Sequence, residues 1–276
     1  MRQQTQLPKI ESTSSSAVVV LRAEEGQALI GRAVAKMPQV QARLQNGRMV
    51  IVGGTTTRHV VRALLGQDPG RDSFAVGWIR DALLGETPPQ QRGAGPFLFE
   101  EGVQSRGWPA PLLERFAAGD IYIKGANAID PQGNAAVLVA SPVGGTIGAA
   151  LAILMARGGE LIVPVSLQKM IPSVPAACGL LGQGRVERVM GSPVGYMPLM
   201  AGSATLVTEV VALRQLCAVE ATPVAAGGVD DCQAAQVLHL RGSAASIEQA
   251  WQLVLSIRTE IAESHPPVAA SLSSAP

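Results

Sequence analysis

The sequence predicts an α/β fold in which a Rossmann-like, mainly parallel sheet carries helices on both faces, followed by a small C-terminal α-β-β-α unit. Between residues 48 and 165, short runs rich in Val and Ile alternate with helical segments, which is the order of βαβ units. Aromatic residues make up 3% of the chain and apolar residues 47%. Small branched side chains must therefore fill the core, as they do in a parallel sheet that is buried on both faces.

The elements of the main domain follow from apolar spacing and from turn residues. A strand is expected at 18–21, and residues 24–46 have apolar side chains at helical spacing, with Pro38 dividing two helices. Strand 48–52 leads into an amphipathic helix at 58–65. The further predicted elements are strand 73–79, helical turn 81–84, strand 96–101, helix 109–118, strands 120–124 and 135–140, a helix ending near 156, strand 161–165 and strand 185–190.

Two units are expected, a ligand-binding domain over residues 17–203 and a smaller unit over 204–262. The smaller unit is predicted to contain helix 206–216, strands 218–225 and 233–240 and helix 246–260. A two-stranded hairpin cannot bury both faces alone, so this unit should pack on the main domain or extend a sheet across a subunit boundary. Residues 1–16 and 263–276 are rich in Ser, Pro or Gln and are predicted to be disordered tails.

Charge and composition exclude several classes of function. The formal net charge is +1 and no Lys/Arg cluster is present, which argues against a nucleic-acid partner. The three cysteines lack Cys-x-x-Cys spacing and the three histidines are far apart in sequence, so neither a metal site nor a cofactor is expected. Residues 131–156 are uncharged, but Pro142 and the Gly144-Gly145 pair argue against a membrane span. We expect a cytoplasmic protein, since residues 1–16 lack the apolar core of a signal peptide.

The segment from Gly53 to Thr57 has the composition of an anion site. It follows strand 48–52 and opens a helix, as Gly53-Gly54-Thr55-Thr56-Thr57. Glycines let the backbone approach a ligand, threonine hydroxyls donate hydrogen bonds, and the free amides and dipole of a helix start favour negative charge. The pattern is neither Gly-x-Gly-x-x-Gly nor a Gly-Lys-Ser/Thr loop. A strand-to-helix turn with a threonine N-cap and no ligand would explain the same residues.

A second group of candidates surrounds strand 120–124, and we interpret the chain from 120 to 169 as a βαβ unit. Polar loops at the carboxyl ends of parallel strands form the ligand crevice of such folds. The candidates here are Lys124, Gly125, Asn127, Asp130, Ser141, Gly144, Gly145, Thr146 and Lys169. Lys124 and Lys169 would supply positive charge, although each is equally explained as a solvated strand-end lysine. Asp130 before Pro131 is also typical of a turn, and Asn127 of a residue that holds its own loop.

Three stretches resemble the superfamily of ribose-5-phosphate isomerase and the sugar-phosphate-binding domain of DeoR-type regulators. Residues 112–130, LLERFAAGDIYIKGANAID, are similar to its helix, strand and Gly-Ala-Asp/Asn-x-Ile-Asp loop. Residues 50–57, VIVGGTTT, are similar to its phosphate-proximal turn, and residues 161–169, LIVPVSLQK, to its strand ending in Ser-x-Lys. The resemblance covers about residues 48–170 and implies a Rossmann-like fold with a phosphate cradle.

The resemblance fails at the positions that move the proton. The isomerases have aspartates where this chain has Lys124 and Asn127, and only Asp130 keeps its carboxylate. Residues 135–156 contain no acid or base, whereas aldose–ketose isomerisation needs a general base near the reacting carbon. A DNA-binding regulator is also disfavoured, because the residues before strand 48–52 form no evident helix-turn-helix.

Three functions follow. The first is a binding protein for a small anionic metabolite resembling a phosphorylated sugar, with no nucleic-acid or membrane partner and with homo-oligomeric assembly. The second is an isomerase or transferase of the same superfamily, whose base would be Asp130, Glu100 or Glu101. The third is a non-catalytic assembly protein whose low-charge surface forms oligomer contacts.

Overall fold

The computed structural model of the chain describes residues 14–264. Its strands are β1 (Ser15–Leu21), β2 (Arg48–Ile51), β3 (Gly77–Arg80), β4 (Leu83–Glu86), β5 (Phe97–Glu100), β6 (Val103–Arg106), β7 (Ile121–Ile123), β8 (Ala128–Ile129), β9 (Ala135–Val139), β10 (Glu160–Pro164), β11 (Gly195–Leu199), β12 (Thr205–Val207), β13 (Glu220–Ala226) and β14 (Gln236–Gly242). Its helices are α1 (Ala23–Ala35), α2 (Pro38–Gln45), α3 (Thr55–Leu65), α4 (Arg71–Phe74), α5 (Ala110–Leu113), α6 (Gly145–Arg157), α7 (Val174–Ala177), α8 (Glu209–Cys217) and α9 (Ala244–Ser264). Short 3-10 turns span Pro89–Gln91, Leu167–Lys169 and Asp230–Cys232.

The largest sheet is mixed, with the strand order β12-β10-β7-β2-β5-β6. Strands β12, β10, β7 and β2 run parallel, whereas β5 is antiparallel to β2 and β6 to β5. The predicted α/β class is therefore confirmed, with an antiparallel hairpin at one edge of the sheet. The predicted strand at 96–101 corresponds to β5, but β6 was not expected. Its turn uses Glu101 and Gly102 at positive φ, and a glutamate in that conformation gives no sequence signal for a hairpin.

A second sheet joins the two ends of the described chain, in the antiparallel order β1-β14-β13. Val19 of β1 pairs with Leu238 of β14, so the N-terminal strand supplies the third strand that the C-terminal hairpin needs. Residues 15 and 16, expected in the tail, lie in β1, and residues 1–13 and 265–276 of the predicted tails lie outside the described residues.

The expected division after residue 203 crosses the central sheet, because β12 pairs with β10 through Leu206 and Val163. Residues 206 and 207, expected to begin a helix, belong to this strand, and the helix starts at Glu209. A single cluster of buried apolar side chains contains Leu21, Ile51 and Leu240. The C-terminal elements therefore share one core with the main sheet.

One further strand prediction was wrong, and another was right only at its end, because residues 77–79 lie in β3. Residues 185–190 contain no strand, and the strand of that region is β11, which pairs with β9. Residues 73–79 were predicted as one strand, but Phe74 closes the short helix α4 with its amide on the Gly70 carbonyl at 3.2 Å. The expected helical turn at 81–84 is instead a tight hairpin turn between β3 and β4, with Asp81 and Ala82 at φ 52° and 59°.

The two helices before β2 agree with the prediction from apolar spacing. Helices α1 and α2 are separated at Pro38, which occupies the first turn of α2 where its missing amide costs no hydrogen bond. The predicted helix at 109–118 is shorter, since α5 ends at Leu113. Within residues 14–264, no helix combines the length and the apolar content needed to cross a bilayer.

Candidate functional site

A cavity of about 590 Å³ lies at the carboxyl edge of the parallel strands. Strands β2, β7 and β10 are parallel, so the segments that follow them meet at the same edge of the sheet. The predicted site residues that line this cavity are Gly53, Gly54, Thr55, Thr56, Lys124, Gly125, Asn127, Ser141, Gly144, Gly145, Thr146 and Lys169. Both small-residue loops therefore face one space. Thr57 and Asp130 are not among its lining residues.

The turn before α3 depends on a glycine at position 53. A Cβ on Gly53 would lie 1.9 Å from the carbonyl oxygen of Phe74, so no other residue fits without moving α4. The Thr57 hydroxyl donates to the carbonyl of Val52 at 2.6 Å, which fastens the first turn of α3 to the end of β2. Thr57, predicted to bind ligand, therefore has a structural hydroxyl and is turned away from the cavity lining.

Thr56 differs from its neighbour because its hydroxyl has no partner. The residue is 2% exposed, and its Oγ1 makes no hydrogen bond within the described part of the chain. Thr56 also belongs to the first turn of α3, where amides have no carbonyl within the helix to bind. Buried polar groups without partners are uncommon. Thr56 therefore combines an unsatisfied hydroxyl and a helix-start amide in a residue that lines the cavity.

The start of α6 also lines the cavity. Gly144 and Gly145 have φ 82° and 56°, a left-handed conformation in which glycine is favoured. A Cβ on Gly144 would also lie 2.9 Å from the Cα of Gly148. The Tyr122 hydroxyl, on the buried strand β7, donates to the Thr146 carbonyl at 2.7 Å. The helix start is thus fixed to the central sheet, with its first amides at the cavity.

Lys124 and Lys169 bring two cations to the same cavity. Burial lowers the pKa of Lys124 to about 8, and the neighbouring charge of Lys169 adds to this shift. Burial also lowers the pKa of Lys169, against which Glu209 acts. Within residues 14–264, no carboxylate lies within ion-pair distance of either ammonium group. The cavity therefore has excess positive charge.

Lys169 is held by its surroundings. Its Nζ donates to the carbonyl oxygen of Ala126 at 2.7 Å, which ties the segment after β10 to the loop after β7. Glu209, which is fully buried at the start of α8, accepts from the Ser166 hydroxyl at 2.5 Å and the Leu167 amide at 2.9 Å. Burial raises the pKa of this carboxyl, although these donors oppose the rise.

Asp130, the weak candidate for a catalytic base, has a structural environment. One oxygen accepts from the amides of Gln132 and Asn134 at 3.0 Å, and the other from the Val174 amide at 2.9 Å. The side-chain amide of Asn134 donates to both. Burial by itself would raise the pKa of Asp130, but the hydrogen bonds outweigh it and hold the pKa below its usual value. Its oxygens fix the loop rather than face the cavity.

The alternative bases also lie away from the cavity. Glu100 pairs with Arg48 at 3.0 Å and Arg115 at 2.7 Å, and Glu101 accepts from the Gly47 amide at 3.1 Å. Among the described residues that line the cavity, Glu86 is the one carboxylate, and it pairs with Arg92 at 2.9 Å.

Asn127 lies at the cavity, but its side chain is already engaged. Its Oδ1 accepts from the Leu138 amide at 3.0 Å, and the backbone amide of Asn127 donates to the Ala136 carbonyl at 2.7 Å. Asn127 therefore positions the loop against β9. Ser141 contributes a weaker contact, accepting from the Val143 amide at 3.4 Å.

The apolar walls of the cavity were not predicted. Trp78 and Leu84 come from the β3–β4 hairpin, Phe74 from α4, and Trp108 from the segment before α5. Gly85 makes room for the Trp78 indole, because a Cβ there would lie 2.2 Å from the ring. The chain has three tryptophans, and two of them line this cavity. Their rarity was the signal that could have identified this wall.

Within residues 14–264, no group of three or more His, Cys, Asp or Glu side chains is placed to hold a metal ion. Comparisons of the chain with protein-family models, with curated proteins and with solved structures gave no match. The resemblance to the ribose-5-phosphate isomerase superfamily therefore stays a prediction.

Proposed function

We propose that the protein binds a small anionic metabolite, resembling a phosphorylated sugar, in the cavity between the starts of α3 and α6. One observation carries this proposal: two helix starts and two lysines without carboxylate partners line the same space. Helix starts present free amides and a partial positive charge, and lysines add full charges. Together they favour a phosphate or a carboxylate over a neutral ligand.

The orphan hydroxyl of Thr56 supports the same location. An unsatisfied buried polar group costs free energy of about 1–3 kcal/mol, which a ligand acceptor would recover. Its amide and those beside it in the first turn of α3 would donate to the same group. The anion is therefore expected at Thr56, with Lys124 and Lys169 on its other side.

The size of the cavity and its walls indicate the rest of the ligand. A volume of about 590 Å³ lies within the range of small-molecule sites. The indole of Trp78 and the side chain of Leu84 provide apolar surface on which a sugar ring or a short carbon chain can pack. The Rossmann-like arrangement, with its ligand crevice beyond the carboxyl ends of the parallel strands, is part of this proposal.

Calorimetric titration with ribose 5-phosphate, inorganic phosphate and ribose tests the proposal. We expect ribose 5-phosphate to bind with a dissociation constant below about 1 mM and ribose at least about tenfold more weakly, because the phosphate contacts are charge-assisted. Lys169→Met should weaken ribose 5-phosphate about tenfold. Lys36→Met, which removes a lysine outside this cavity, should not. Equal binding of ribose and its phosphate, or no binding of any anion, would exclude the proposal.

Catalysis by an acid of this chain has weaker support than binding. An isomerase that used Asp130 as its base would have to break the hydrogen bonds that occupy both of its oxygens. Homo-oligomeric assembly and a cytoplasmic location stay separate predictions, and analytical ultracentrifugation of the full chain tests the first of them.

A further inference from the structure

The chain uses lysine rarely. Four of its 22 Lys and Arg residues are lysines, namely Lys9, Lys36, Lys124 and Lys169. Every ion pair formed between two described residues takes its cation from an arginine or from His59. Two of the four lysines nevertheless line the cavity. Arginine supplies the charge in ion pairs elsewhere in the described fold. The two lysines therefore indicate that this cavity uses a property of a primary amine that a guanidinium lacks.

An amine differs from a guanidinium because it can lose its proton and attack a carbonyl carbon. Guanidinium groups stay protonated in proteins, whereas a desolvated lysine releases its proton readily and is the residue of Schiff-base enzymes. A lysine in an apolar pocket beside a second cation is activated in this way. Lys124 has both features, since it lies among apolar walls and next to Lys169.

The two lysines are not equivalent. The Nζ of Lys169 donates to the Ala126 carbonyl at 2.7 Å, a contact that favours the ammonium form, and Glu209 opposes the lowering of the Lys169 pKa by burial. The Nζ of Lys124 makes no hydrogen bond or ion pair with any residue between 14 and 264, and only its backbone amide is engaged, with the Ile162 carbonyl at 3.0 Å. Lys169 therefore holds charge, and Lys124 has the amine that is free to react.

We propose that Lys124 is a nucleophile that forms an imine with an aldehyde or ketone carbonyl of the bound anion. This inference rests on the proposed function, because the anion site at Thr56 and Lys169 would hold the ligand while its carbonyl reaches Lys124. The substrate class is accordingly a small carbonyl compound that carries a phosphate or a carboxylate.

The step is balanced without a further reactant. The lone pair of the neutral Lys124 amine forms a bond to the carbonyl carbon, and the π electrons of the carbonyl move to its oxygen, which takes up the proton released by the nitrogen. The resulting carbinolamine loses its remaining N–H proton and its hydroxyl group as one water molecule, leaving the imine. With the pKa of Lys124 at about 8, a substantial fraction of the amine is neutral near physiological pH.

Pyridoxal 5′-phosphate tests the inference, because it combines a phosphate with an aldehyde. The full chain is incubated with this probe, reduced with borohydride and mapped by mass spectrometry. We expect labelling of Lys124 at least about tenfold above that of Lys9, Lys36, Lys169 and the terminal amine. Pyridoxine 5′-phosphate, which has the phosphate but no aldehyde, should compete. Even labelling of all the amines, or preferential labelling of another lysine, would overturn the inference.

The outcomes separate this inference from the proposed function. If pyridoxine 5′-phosphate binds but pyridoxal 5′-phosphate leaves no label on Lys124, the imine is excluded and the anion site stands. If neither compound binds, both proposals fail. Lys124→Arg keeps a cation in the cavity but has no reactive amine, so it should remove both the label at this position and most of the label that the full chain incorporates. Lys36→Arg is the matched control and should leave both unchanged.

Discussion

Lys124 and Asp130 lie at opposite ends of one loop and have opposite environments. The carboxylate of Asp130 is buried and accepts hydrogen bonds from Gln132, Asn134 and Val174. The ammonium group of Lys124 has no such partner within residues 14–264 and faces the cavity. A charge that the fold has already satisfied serves the fold, whereas one left without a partner beside a cavity is available to a ligand. The comparison therefore assigns stability to Asp130, and on the proposed function it assigns binding to Lys124.

Replacing Asp130 by Ala should give the largest effect. The change leaves the buried amides of Asn134 and Val174 without an acceptor, so we expect a loss of about 3–5 kcal/mol in the free energy of unfolding. Urea denaturation at pH 7 measures this loss. Phosphate affinity of the folded fraction should stay within about twofold of the wild type.

Lowering the pH should reduce the difference in the free energy of unfolding between the wild type and Asp130→Ala. The pKa of Asp130 is lower in the folded chain than its ordinary value of 3.8. Its stabilisation is therefore complete above pH 3.8 and is lost as the pH falls through the lower folded value. A stable Asp130→Ala variant that had lost phosphate binding would reverse the assignment of the two loop ends.

Thr57 and Thr56, in the first turn of α3, also differ in whether their polar group has a partner in the fold. Thr57→Val removes the hydroxyl that donates to Val52 at 2.6 Å, so we expect a loss of about 1–2 kcal/mol in the free energy of unfolding. Thr56→Val removes an orphan hydroxyl that costs free energy in the folded chain, so the free energy of unfolding should rise by about 1 kcal/mol while the phosphate affinity falls about fivefold. Denaturation and calorimetry on both variants check this, and the opposite pattern would show that the hydroxyl of Thr57 is the ligand donor.

Replacing Lys124 should raise the free energy of unfolding, by less than the loss expected for Asp130→Ala. Its pKa is about 8 in the folded chain against an ordinary value of 10.5, so the folded state binds fewer protons between these values and wild-type stability rises with pH through this window. Lys124→Met removes the cost of the buried charge. We expect this variant to gain on the order of 1 kcal/mol in the free energy of unfolding at pH 7, less than the full pKa shift implies because water still reaches part of the Lys124 side chain.

The gain from Lys124→Met should disappear above pH 10.5, where the lysine is neutral in both states. Thermal melts at pH 7 and pH 11 measure it, and Lys36→Met, on the exposed surface, serves as the control. A loss of stability at pH 7 would show that Lys124 has a stabilising partner.

The sequence predicted the parts of the site that depend on local chemistry. The glycines and threonines at 53–57 and the glycines at 144 and 145 follow strands or apolar runs, and parallel pairing of β2 and β7 brings the first loop beside Lys124. The sequence could not show that Asp130 is satisfied, because its partner Val174 is distant in the chain. Nor could it separate Thr56 from Thr57, since helical phase decides which hydroxyl reaches Val52.

Long-range pairing accounts for the remaining errors in the fold. β1 joins β14 across almost the whole described chain, and a short run of valines does not specify its partner. The β3–β4 hairpin turns at Asp81 and Ala82, neither of which is a glycine, so local composition did not reveal the apolar wall that carries Trp78.

The most direct measurement is the position of a bound anion. Crystals soaked with selenate, a phosphate-like anion with strong anomalous scattering, should show a peak in the cavity within hydrogen-bond distance of the Thr56 amide or hydroxyl, with Lys124 or Lys169 on its other side. A cavity without a peak while selenate occupies other surfaces, or a peak only at the pocket near Lys36 and Arg62, would contradict the account.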